Sequence, residues 1–170
     1  MSQSNVKFPD PLRIVAVADI PKATDAPLDN LMTIFRLCNK MEKICDDNDG
    51  IGLSANQVGV PWKLFIIKRN RNFEYYVNCD YVGDGEKIKS VEGCLSLRND
   101  SGEFRRFEVE RFSKIKLSGK QLIISGMPSL VLHDVNREEK DLFAVVFQHE
   151  IDHGFDKLIS DIGKEVEITG

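Results

Sequence analysis

Apolar positions recur at helical spacing first between Pro27 and Asp47, where Leu28, Leu31, Met32, Phe35, Cys38 and Cys45 share one face. This predicts an amphipathic helix, ended by the polar run Asp46-Asp47-Asn48-Asp49-Gly50. The pattern then changes to short, strand-like runs: Lys63 to Lys68 (KLFIIK), Phe73 to Val82, Ile88 to Leu97, a stretch around Ile115 to Leu117, Gln121 to Ser125, and Leu130 to Leu132. Gly83, Gly85, Gly119 and Gly126 punctuate these runs as predicted turns. Helical spacing returns at Phe143, Val146, Phe147 and Ile151. Asn136, followed three residues later by Glu139, resembles a capping box that would open this second helix. With so wide an apolar face the helix is expected to be buried against the sheet. The fold class expected is α+β, without internal repeats, low-complexity tracts or linkers.

Composition narrows the class without naming a function. The 170 residues suit one domain with a core of its own. A net charge of −4 gives no electrostatic reason for tight nucleic-acid binding, and no apolar run approaches the length of a membrane-spanning helix. The start, MSQSNVKFPDPLR, has neither the apolar core of a secretory signal nor the basic amphipathic character of a transit peptide. Cys38, Cys45, Cys79 and Cys94 lack the paired spacing of a zinc ribbon or redox motif, so reduced thiols are expected. The first three read as small buried hydrophobes.

The chemistry concentrates in QHEIDH, Gln148 to His153. His149 and His153, spaced i, i+4, present two imidazoles on one helix face, where a metal ion can be held. Glu150 adjoins the first and can direct a carboxylate at a water in the same site. Charged groups on an apolar helix would be costly without partners, and a metal supplies them. Cys94, in EGCLS at Glu92 to Ser96, offers a third, soft ligand suited to zinc or iron. Asp152 is expected to point away from the metal, either to the surface, the favoured reading, or to a supporting place behind the ligands, and His133 to lie on the surface in a turn. A third segment, GIGLSANQVG at Gly50 to Gly59, has glycines that permit close backbone approach and a neutral amide in Gln57. It lacks the Gly-Lys-Ser/Thr ending of a phosphate loop.

GIGLSANQ, EGCLS and QHEIDH, in this order, closely resemble the three signature motifs of the peptide deformylases. Further similarity lies in PDPLR near the start, in Val77-Asn78, and in Val109-Glu110-Arg111 before Ile115-Lys116-Leu117, so the resemblance runs from about Phe8 to His153. It implies antiparallel or mixed sheets around a central buried helix carrying HExxH. It also implies a single catalytic domain over 1–170, removing the formyl group from formyl-methionyl nascent peptides as formate. Cys94, His149 and His153 would hold one divalent ion, ferrous iron in typical members, with zinc, nickel or cobalt able to replace it. A water activated by the metal would be the nucleophile and Glu150 the general base and then acid. The oxyanion would meet the backbone N–H of Leu95 and the amide of Gln57. Ile51, Gly52 and Gly93 would pair with the substrate main chain, Leu142, Val145 and Val146 would line the methionine pocket, and Glu92 would pair with Arg111 to brace the metal loop.

The same resemblance implies a cytoplasmic monomer acting on nascent peptides, with no membrane and no direct nucleic-acid specificity. The departures from the family pattern are local. Gly154 follows the second histidine where Leu-x-Gly is usual, and is expected to cap the helix. Leu97 to Arg106 is longer and more charged than the usual Pro-Gly turn, and is expected to border the cleft and alter preference beyond the first substrate residue. Ser54 replaces a common alanine and reads as a minor change. The chain stops at Gly170, where many bacterial members continue into a helix that aids ribosome docking; short tails also occur in virus-encoded members. Two other readings stay open: a different HExxH hydrolase cleaving internal peptide bonds, and an inactive relative that only binds peptides.

Overall fold

The computed structural model describes residues 8–126 and 129–167; most of the starting segment MSQSNVKFPDPLR, residues 1–7, lies outside them. The first helix, α1 (Leu31–Asp47), begins four residues later than its periodicity suggested. Asn30 sets that start: its side chain accepts the Thr33 N–H at 3.0 Å and satisfies an otherwise unpaired donor of the first turn. Ile34, Leu37, Cys38, Met41 and Cys45 form its buried face.

Eight strands follow or flank it: β1 (Gly52–Ser54), β2 (Leu64–Arg69), β3 (Asn72–Gly83), β4 (Lys87–Arg98), β5 (Phe104–Phe112), β6 (Lys114–Ile124), β7 (Leu130–Lys140) and β8 (Lys164–Val166). They form one sheet in the order β1-β2-β3-β6-β7 and another in the order β4-β5-β8. Every ladder is antiparallel, and the one parallel pairing among the described residues is the isolated Thr24–Trp62 bridge. Two more helices, α2 (Asp141–Gly154) and α3 (Ile159–Ile162), come late in the chain.

The continuous apolar run of β2 has a simple cause. Leu64 and Ile66 face the α1 side with Leu37, Met41, Leu53 and Val77, while Phe65 and Ile67 face α2 with Tyr76, Ile115, Phe147 and Ile151. Both faces of the strand are therefore buried, which removes the usual polar alternation. On the α2 side Phe147 meets Tyr76 and Phe65 edge-on, with ring centroids 4.9 and 5.9 Å apart. Helix α2 touches β1, β2, β3, β6 and β7 of the larger sheet and β5 of the smaller, so it lies between them.

The structure corrects several expectations. Asn136 and Glu139 open no helix: both belong to β7, opposite Ser118 and Ile115, and α2 starts at Asp141 without a side-chain cap. Buried Glu139 accepts from Arg137 at 2.8 Å and Arg69 at 3.0 Å, and these pairings favour the strand over a capping turn. Gly119 is no turn but the interior of a single strand, β6. There β3 bulges at Asn78–Cys79, and a Cβ on Gly119 would sit 2.5 Å from Cys79 Sγ. Half of Leu97 to Arg106 is strand: Asn99 to Glu103 forms the turn, where Asn99 accepts the N–H groups of Ser101 and Glu103. His133 is exposed as expected, but lies in β7. Gly154 is the last residue of α2 rather than a left-handed cap; Asp156, at φ 59°, takes the reversed conformation.

Candidate functional site

Three segments distant in sequence meet at one end of α2. Between Gly93 and Arg98 the β4–β5 ladder loses register, which takes Cys94 and Leu95 out of the paired strand and brings Cys94 against α2. Cys94 Sγ lies 3.4 Å from His153 Nε2, and ligand atoms of Cys94, His149 and His153 all fall within 4.8 Å of one another. This grouping suits a small metal ion with mixed sulfur and nitrogen ligands. His149 Nδ1 lies 2.9 Å from Glu92 Oε2; assigning the proton to Nδ1 leaves the Nε2 lone pair for a cation. His153 Nδ1 is buried without a partner, so Nε2, facing Cys94, is that ring's engaged atom.

Charge balance supports the same reading. Burial alone would raise the Cys94 thiol, but the two imidazoles outweigh it and hold the group well below its usual range, as thiolate. Burial would lower His149, yet Cys94 and Glu92 raise it well above an ordinary imidazole. A cluster that draws a proton so strongly has a negative potential that also suits a metal cation. Glu150 is raised above the usual carboxylate range, chiefly by burial.

Behind His149 runs a buried network. Arg111 donates to both oxygens of Glu92, Nε at 2.8 Å and Nη2 at 3.0 Å, which is the pairing expected from the sequence, here buried rather than exposed. Burial pushes Glu92 up, but its hydrogen bonds with His149 and Arg111 prevail and lower it to about 2. The remaining arm of Arg111 donates to Asp152, which is buried and supports the site from behind rather than lying at the surface, the second of the two roles its sequence left open. Asp152 stands three residues after His149, a spacing that shares its helix face. Gln148, the first residue of the motif, instead ties α2 to β5 through both the N–H and C=O of Phe112.

β1 and the 3₁₀ turn after it (Ala55–Val58) supply the third wall. Gln57 Oε1 accepts the Ser54 N–H at 2.9 Å, while its Nε2 donates to Ser96 Oγ at 3.0 Å and points to Cys94 Sγ at 3.3 Å. Ser54, read as a minor change, is buried and its Oγ lies 2.7 Å from Glu150 Oε2. A cleft of about 250 Å³ opens on the cluster. Ile51, Gly52, Gln57, Glu92, Gly93, Cys94, Leu95, Leu142, Val145, Val146, His149 and Glu150 all line it, with Arg106 at its border; His153 and Arg111 lie behind its wall. Leu142 is 57% exposed, which excludes a core-packing role for it.

The profile of the Polypeptide deformylase family matches residues 19–167. A peptide deformylase of Heliobacterium modesticaldum is 28% identical over 148 residues, covering 82% of this chain and 89% of that one. One from Thermoanaerobacter pseudethanolicus is 34% identical over 107 residues, covering 62% of this chain and 58% of its own length. The crystal structure of a probable peptide deformylase from synechococcus phage S-SSM7 superposes with a TM-score of 0.71 at 25% identity, over 89% of this chain and 99% of that one. The match spans both sheets, α2 and all three motifs, and this chain belongs to the polypeptide deformylase family.

Proposed function

We propose that this protein is a metal-dependent hydrolase that releases formate from peptides beginning with formyl-methionine. The observation that carries the reading is the meeting of Cys94, His149 and His153 with the buried carboxylate of Glu150 in one cleft, within a chain of this family. Cys94, His149 and His153 would hold one divalent ion, ferrous iron in the cell, with zinc, nickel or cobalt able to replace it. Such an ion supplies Lewis acidity, which acidifies water and polarises a carbonyl.

The chain's own residues supply the rest. Glu150, with its affinity for protons raised by burial, takes a proton as water oxygen adds to the formyl carbon. It returns that proton to the nitrogen as the C–N bond breaks, giving formate and a free amine. The Leu95 N–H, in the bulge of β4, and the Gln57 amide stabilise the oxyanion, with Gln57 exchanging Ser96 Oγ for it. Ile51, Gly52 and Gly93 at the cleft edge pair with the substrate backbone, which reads a peptide without reading most of its side chains. Leu142, Val145 and Val146 receive the methionine side chain. Glu92, held by Arg111, fixes the tautomer of His149. Such a substrate would be met on nascent chains in the cytoplasm, and residues 1–170 are read as a single catalytic domain.

The test is formate release from formyl-Met-Ala-Ser by protein purified anaerobically with ferrous iron or nickel, beside Glu150→Gln. Rapid release by the parent, with a loss of several orders of magnitude in a variant that keeps its metal, is the expected result. A filled site without release would overturn the reading.

A further inference from the structure

Glu150 has the most exacting position in the cleft, since a proton acceptor must lie within hydrogen-bond reach of its donor. Its own helix does not fix that position, because a glutamate side chain has three rotatable bonds. β1 does. In a strand, residues two apart face the same way, so Gly52 and Ser54 both present to α2. Ser54 Oγ lies 2.7 Å from Glu150 Oε2 and 3.0 Å from the Glu150 carbonyl oxygen. The other carboxylate oxygen, Oε1, rests against Gly52, where a Cβ would lie only 2.4 Å away.

We propose that Ser54 is a positioning residue for Glu150, clamping its carboxyl group between a hydroxyl and the bare Cα of Gly52. This rests on the deformylase reading only for the role given to Glu150; the clamp itself is a matter of geometry. A hydroxyl has one proton and two acceptors on Glu150 within reach, so it serves the carboxyl group in either state. Toward a carboxylate it donates to Oε2. Toward a carboxylic acid it accepts from that group and turns its own proton to the carbonyl oxygen. An alanine methyl can do neither, and would leave the inner carboxylate oxygen buried without a partner.

Ser54→Ala tests this in the metal-loaded enzyme, alone and combined with Glu150→Gln. Metal content and KM for formyl-Met-Ala-Ser should stay within about twofold of the parent, while kcat falls about ten- to a hundredfold, the range for one hydrogen bond to a charged group. In the Glu150→Gln background the same substitution should change the residual rate less than about twofold, because the group it positions has already lost its function. A purely structural role would lower both backgrounds equally, and that result would overturn the proposal, as would an unchanged kcat in the single variant. A high-resolution crystal structure of Ser54→Ala reads the clamp without activity: the carboxyl group should leave its place beside Gly52, and an unmoved one refutes the inference. If the parent itself releases no formate, the deformylase reading fails while the crystal structure still decides the clamp.

Discussion

Replacing Arg111 by Met would remove the guanidinium that bridges two buried carboxylates, Glu92 and Asp152. Arg111 is 2% exposed, Glu92 8% and Asp152 6%, and Arg111 donates to all three oxygens that these acids turn toward it. The apolar side chain would leave Asp152 without a cationic partner and Glu92 with His149 alone, for which the expected destabilisation is about 3–5 kcal/mol. The Glu92 carboxyl gives a second route to the magnitude. It is held at about 2 against an ordinary 4.5, a difference corresponding to about 3 kcal/mol that His149 and Arg111 share, so Arg111 accounts for part of it. Because the folded value is the lower one, this stabilisation is fully present above pH 4.5 and is lost as the pH falls toward 2. Arg111→Met should therefore lower the midpoint of thermal unfolding by about 6–20 °C near neutral pH. The gap from the parent should narrow as unfolding is followed into acid. Glu92 also orients His149, so metal affinity should fall about ten- to a hundredfold, read by competition with a chromogenic chelator. A loss under about 1 kcal/mol at neutral pH, or a gap that stays constant into acid, would refute the account of the network as a coupled buried unit.

Other expectations are simpler to check. Gly119→Ala meets both an unfavourable backbone angle, φ 141°, and Cys79 atoms 2.5 and 2.7 Å from the new Cβ; urea denaturation should show a loss of about 2–4 kcal/mol, and parental stability would mean that the β3 bulge can yield. Leu142→Ala should cost less than about 0.5 kcal/mol, since the side chain is 57% exposed, while raising KM for formyl-methionyl peptides about three- to tenfold at unchanged kcat. An unchanged KM would remove Leu142 from the methionine pocket.

The sequence by itself determined the elements whose signal is local. Helical spacing marked α1 and α2, the apolar run within Lys63 to Lys68 marked a strand, and i, i+4 spacing put His149 and His153 together before any tertiary information. It could not place what depends on a neighbour distant in the chain. Glu139 reads as a capping residue until Arg69 arrives from β2 to pair with it, and Gly119 reads as a turn until the bulge of β3 is pressed against it. Asp152 carries only its spacing from His149 as a local signal of its role, and Ser54 carries none. They become part of the site only because the fold brings Arg111 on β5 to one and Glu150 on α2 to the other. Periodicity is a property of a segment, whereas the pairing of buried polar groups is a property of the closed structure, where each must find whatever partner the fold brings within reach.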